Sequence, residues 1–151
     1  MKLTVENVKQ FCDEYFDYDI GIKCRVQTIA ENRFYYYYFC KSFLIGVTTT
    51  VIGENCGYKD HSSVVHGLKR FDILYQVDDI FKERYNAFEH EALKRFKIDF
   101  TNAPDSVSEQ LKKIYRLEIK IQNLNLELSK EKRNSKAEIR KILKEQEQMF
   151  V

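Results

Sequence analysis

The chain has 151 residues, of which 44% are hydrophobic and 32% charged, with a formal net charge of +2 and a single proline. That size carries one core-forming domain plus an extension, and the balance excludes a disordered polyelectrolyte, a transmembrane run and the coating of nucleic acid by bulk charge alone. The charge is nonetheless uneven: residues 23–70 hold seven Lys and Arg against three acids, whereas residues 1–22 hold two against five.

Taken in order, Thr4 is placed to cap a first helix whose apolar residues Val5, Val8, Phe11, Cys12, Tyr15 and Phe16 follow a helical stripe. Residues 17–21 break that pattern and lead into an exposed loop with Lys23 and Arg25. The segment 33–44 carries Phe34, four consecutive tyrosines and Phe39, a run that propensity alone reads as strand. Core packing is the expected role of Tyr35 to Tyr38, because stacking platforms serve single strands. Thr48 to Thr50 offer caps for a short helix around 51–55, and Gly57 sits where that helix must stop and reverse. Asp60 and Ser62 supply N-cap chemistry for the next helix. Its apolar positions Val64, Val65, Leu68, Phe71, Leu74 and Tyr75 bury one face and leave Lys59, His61, Ser62, His66, Lys69 and Arg70 mostly elsewhere.

Asp78 and Asp79 begin a further helix, with Phe81, Tyr85, Phe88, Ala92 and Phe96 on one side. The pattern ends toward Pro104, and residues 98–104 read as a linker. Beyond it a long polar helix opens at Asp105 and Ser106. Val107, Ile114, Leu117, Ile121, Leu124 and Leu128 occupy alternating three- and four-residue steps, a coiled-coil seam of about three heptads with Gln110 as its weak point. After Leu128 the seam fails, and the residues leave open either a turn at 133–135 that folds the chain back as a helical hairpin or one helix running on.

A short helix, a glycine turn and a helix with a polar, basic start is the geometry of a helix-turn-helix, whose second helix offers its first residues to the major groove. The string GYKDHSSVVHGLKRF, ending at Phe71, resembles the signature of the DNA-binding domain of the bacterial chromosomal replication initiator DnaA. Ile52 and Gly53 match the pair that opens the family's turn, residues 23–25 match its basic loop, and Ala30 and Arg33 match the start of its central helix. The resemblance covers roughly 4–93. Lys59 stands for an arginine, Tyr58 for a glycine, and Ser62 and Ser63 for two threonines, and the basic loop is thinner.

The resemblance implies an all-α, Trp-repressor/DnaA-like helix-turn-helix fold, with 33–44 helical rather than extended. It implies double-stranded DNA as the partner, bound through Lys23, Arg25, Arg33, Lys59, Asp60, His61, Ser62, Ser63, His66 and Lys69. By the same resemblance Arg25 enters the minor groove. The family's target sequence is not carried over, because the departures fall on the recognition residues themselves.

No GxxxxGK[ST] loop occurs, so no nucleotide is expected, and the ATPase module of a complete initiator is absent. His61, His66 and His90 lack metal-ligand spacing, and the cysteines Cys12, Cys24, Cys40 and Cys56 form no CxxC pair. Neither a metal, a cofactor nor an enzymatic activity is therefore expected. With no secretory signal at the charged N-terminus and no membrane span, the expected compartment is a reducing cytoplasm, with free thiols acting as small hydrophobes. The expected organisation is a DNA-binding domain at 1–97, a linker at 98–104 and a helical extension at 105–151 that forms a homo-oligomer through 107–128. Replication control or transcriptional regulation, in a phage or mobile element among other settings, would use such a protein. The alternative is an adaptor that keeps the fold and binds protein partners through its C-terminal helices.

Overall fold

The computed structural model describes residues 2–98 and 105–149, except for the side chains of 105–109, 111, 146, 147 and 149. The described residues form α1 (Val5–Phe16), α2 (Gln27–Phe43), α3 (Thr49–Glu54), α4 (His61–Val77), α5 (Asp79–Arg95) and α6 (Asp105–Met149), with no strand among them. The class is all-α.

α1 starts where Thr4 Oγ1 accepts the Asn7 N–H and stops at Asp17, which takes the left-handed conformation. α2 begins at Gln27, earlier than the apolar pattern alone places it. Gln27 and Thr28 face solvent, and Gln27 donates to Glu31 one turn on, so this end of the helix carries no hydrophobic signal. The rest of α2 is the axis of the molecule. Tyr35, Tyr36, Tyr37, Phe39, Cys40 and Phe43 are buried because α1, α3, α4, α5 and α6 all pack around it. An element enclosed on all sides need not be amphipathic, and that is how tertiary packing overrides the β-propensity of four tyrosines.

Burial of those tyrosines is tolerated because their hydroxyls find acceptors. Tyr35 donates to the Phe81 carbonyl at 3.2 Å and Tyr36 to the Ile52 carbonyl at 3.1 Å. Loss of solvent raises both hydroxyls well above the ordinary phenol range. Tyr38 stacks face to face on Phe71 of α4, with ring centroids 3.9 Å apart. The tyrosine run is thus core, as packing considerations require. On α5, Phe81, Tyr85, Phe88 and Ala92 are all buried, as is Phe96 at its C-cap, in line with the stripe, and Asp78 caps the start of the helix by accepting the Phe81 N–H.

Most of the expected linker, 99–104, lies outside the described residues. α6 is one continuous helix of 45 residues, about 68 Å long at the usual rise, so the chain does not fold back at 133–135 as a hairpin. Its early turns dock on α2 and α5. Ile119 is buried, Tyr115 stacks on Phe43, and Asn123 Oδ1 accepts the Gly46 N–H at 2.6 Å. Arg116 lies over the Phe43 ring and reaches the carboxylate of Glu89, which also accepts from the Tyr85 hydroxyl at 3.0 Å. This buried Glu89–Arg116 pair gives no signal in the sequence, since the two residues belong to separate helical patterns.

All four cysteines are free. Cys12, Cys40 and Cys56 are buried, and Cys24, in the loop before α2, is half-buried. Desolvation pushes the three buried thiols up, Cys56 to about 11, which removes the reactive thiolate near neutral pH. A thiol reagent added to native protein near neutral pH should therefore label Cys24 fast and the other three only on unfolding. Mass spectrometry of the labelled peptides checks this, and fast native labelling of Cys12 or Cys40 would contradict the packing.

Candidate nucleic-acid interface

Three pieces of chain meet at one corner: the loop between α1 and α2, the turn between α3 and α4, and the first turns of α4. The loop is fastened from beneath. Ile20 is fully buried, and its N–H donates to the Asp13 carboxylate at 3.0 Å. The Gly21 N–H donates to Asp19 at 2.8 Å, and Lys9 bridges Asp13 and Asp19. The Lys9 hydrogen bond, helped by the Gly21 N–H, holds the Asp19 carboxyl below its ordinary value. From α2, the Arg33 guanidinium donates to the carbonyls of Ile20, Ile22 and Cys24 at 2.7, 2.8 and 3.0 Å. Lys23 and Arg25 project into solvent from this fixed backbone.

The turn depends on close backbone approaches that a side chain would block. Gly53 accepts at its carbonyl from the N–H groups of Cys56 and Lys59, at 3.0 and 2.9 Å, and a Cβ at Gly53 would collide with the Lys59 carbonyl. Gly57 has φ +66°, and a Cβ there would strike the carbonyl of Gly21. The basic loop and the turn are therefore in backbone contact. Tyr58 follows with φ 54°, an uncommon conformation for an aromatic residue, and its side chain is 90% exposed.

α4 then starts at a strong cap. Asp60 accepts the Ser63 N–H at 2.7 Å, and that bond holds its carboxyl below the ordinary carboxylate range. His61, Ser62, Ser63, His66, Lys69 and Arg70 are exposed along the outer face, and Lys59 is half-buried just before it. The inner face is Val64, Gly67 and Phe71, with Leu68, Leu74 and Tyr75 partly covered. Gly67 was not part of the expected stripe. A Cβ there would meet the rings of Tyr37 and Phe34 at 2.6 and 2.9 Å, so its absence lets α4 lie tightly on α2. Val65, expected on the buried face, is instead 37% exposed beside His66, because one helical step from Val64 turns the side chain about 100° away from the core.

No protein-family model matches the chain. Over 80 residues it is 32% identical to the chromosomal replication initiator protein DnaA of Ruegeria sp. (strain TM1040). The match takes in 51% of this chain and 17% of that protein, so the chain spans under a fifth of the length of its relative. The similarity is to a portion of DnaA, and it extends to a DnaA-like domain and no further.

Set beside the DnaA likeness, the geometry redistributes the expected residues. Lys23 and Arg25 lie on the loop that meets the turn at Gly57, Lys59, Asp60, His61, Ser62 and Ser63 lie at the start of α4, and His66 and Lys69 follow along its exposed face. Arg33, half-buried like Lys59, is set apart by its Nε and Nη2, which donate to the loop carbonyls. Tyr58, not among the expected residues, stands exposed in the turn beside them. Among the described residues no three His, Cys, Asp or Glu side chains are grouped to hold a metal ion, and no helix is long and apolar enough to cross a membrane.

Proposed function

We propose that this chain binds double-stranded DNA sequence-specifically, with α3 and α4 acting as a helix-turn-helix and the loop 22–25 as a second, flanking contact. The observation that carries this is the backbone contact between Gly21 and Gly57, which sets the loop beside the start of α4. A helix start in the major groove and a basic loop beside it can then engage the duplex together. Lys59 and Lys69 meet phosphates as point charges, and Arg25 reaches the adjacent minor groove. His61, Ser62 and Ser63 face base edges. Asp60 keeps the helix start in place and offers its carboxylate to a base amino group. Ser62 and Ser63, unlike threonine, have no methyl to set against thymine, so the target differs from the DnaA one. Arg33 holds the loop, and Tyr58 adds an exposed hydroxyl at the rim.

The DnaA likeness favours replication control over transcriptional regulation as the setting, with a phage or mobile element as one home for it. No nucleotide, cofactor or catalytic step is part of this function.

The test is selection of bound duplexes from a random pool, followed by titration of variants on the selected and on random DNA. His61→Ala should cost about 1–3 kcal/mol on the selected site and far less on random duplex, as a base contact does. Lys59→Ala should weaken both nearly equally and lower the salt slope by about one. Arg33→Met should weaken binding through a released loop, together with a lower melting temperature that Arg25→Ala does not share. Failure of the pool to enrich, or a His61→Ala variant that binds selected and random DNA as the parent does, removes the helix-turn-helix assignment and leaves an adaptor role.

A further inference from the structure

α6 uses one face to dock on the body of the molecule and leaves another uncovered. Tyr115, Arg116, Ile119 and Asn123 face α2 and its neighbours. On the opposite side Ile114, Leu117, Ile121, Leu124 and Leu128 are 48% to 57% exposed. These five are the described core of the heptad seam, so the docking of α6 within its own chain does not satisfy them.

We propose that this face binds the same face of a second copy of the chain, forming a parallel, in-register, two-stranded coiled coil. Two features select that occupant. Isoleucine at the a positions 114 and 121 with leucine at the d positions 117 and 124 is the combination that favours two parallel strands. The flanking charges are also self-complementary in that register, where each g residue faces the e residue five places further along the other strand. Lys113 then meets Glu118 of the second copy, Glu127 meets its Lys132, and Lys120 meets the neutral Asn125. No like-charged pair arises. All six of these residues are exposed, so none is committed to packing within the chain. The face docked on α2 lies opposite the seam, so two bodies can sit outside the coil without displacing each other from it.

Sedimentation of the full chain tests the proposal, with disulfide trapping to fix direction. The parent should dimerise in a concentration-dependent manner. Ile121→Asp should abolish the dimer, and because the residue is exposed in the single chain, its thermal melt at low concentration should match that of the parent. Lys113→Glu should weaken the dimer roughly tenfold by placing like charges at two symmetric pairs, and Lys113→Glu with Glu118→Lys should restore it. Leu117→Cys and Leu124→Cys should each crosslink to its own counterpart under mild oxidation, as only a parallel, in-register pair brings like positions together at two successive d sites. A monomer at every concentration, a dimer indifferent to Ile121→Asp, or a dimer in which either cysteine variant fails to crosslink would each overturn the proposal.

Discussion

Arg116→Ala should destabilise the folded chain by about 3 kcal/mol, far more than the loss of a surface ion pair, because it leaves the Glu89 carboxylate without its cation in the core. The Glu89 side chain is 4% exposed and that of Arg116 27%, so solvent cannot take the place of the guanidinium. Partial exposure of Arg116 puts the cost toward the lower end for a broken buried pair. The Tyr85 hydroxyl would remain as a donor to Glu89, but a single neutral hydrogen bond does not offset a buried charge. Two losses accompany the electrostatic one: the cation over the Phe43 ring and the packing of the arginine stem that pins α6 to α2. Urea unfolding measures the change, and Arg116→Met with Glu89→Leu and Tyr85→Phe should recover most of it, since the apolar set carries no desolvation cost and leaves no buried Tyr85 hydroxyl without its acceptor. A loss below about 1 kcal/mol for Arg116→Ala would mean that α6 does not hold its docked position in solution. The Arg116 Nε–H is buried with no acceptor among the described residues, so the pair is imperfect in the native state and apolar replacement is all the more favourable.

Gly57→Ala should cost about 3 kcal/mol in stability and, for the duplex binding proposed above, a larger factor in affinity than the loss of any single surface cation. One part of the cost is the left-handed conformation at φ +66°, disfavoured for alanine by about 1–2 kcal/mol. The remainder is steric. The new Cβ meets the Gly21 carbonyl, and that loop cannot retreat without breaking the three hydrogen bonds from Arg33 and drawing Ile20 out of the core. If the chain still folds, the loop and the start of α4 move apart, and a two-point contact becomes a one-point contact. Calorimetry gives the first effect and anisotropy titration on the selected duplex the second. Tyr58→Gly is the matching control: it relieves φ 54° at the next residue without touching Gly21, and should raise the melting temperature while removing only a rim contact. A Gly57→Ala variant with parental stability and affinity would show that the loop and turn are not coupled.

The sequence alone determined those features whose cause is local. The caps at Thr4, Asp60 and Asp78, the glycine reversal at Gly57 and the stripe on α5 follow from hydrogen bonding and helical period, which act over one or two turns. The all-α class was reached through the DnaA resemblance, since the tyrosine run by its own propensity pointed to a strand. What tertiary structure decided were the features whose partners lie far apart in the chain. Nothing local marks Arg33 as a clamp on three carbonyls, because that role depends on where residues 20–24 come to rest. Gly67 is a gap in one helix that gains meaning only when Tyr37 and Phe34 of another press into it. Glu89 and Arg116 are ordinary charged residues until α6 brings one onto the other. The seam of α6 was legible from its spacing, whereas the fact that it remains uncovered required the helix to be seen docking by its opposite face. Short-range hydrogen bonds and periodicity are written residue by residue, but the pairing of distant surfaces is fixed only by how the whole set of helices packs.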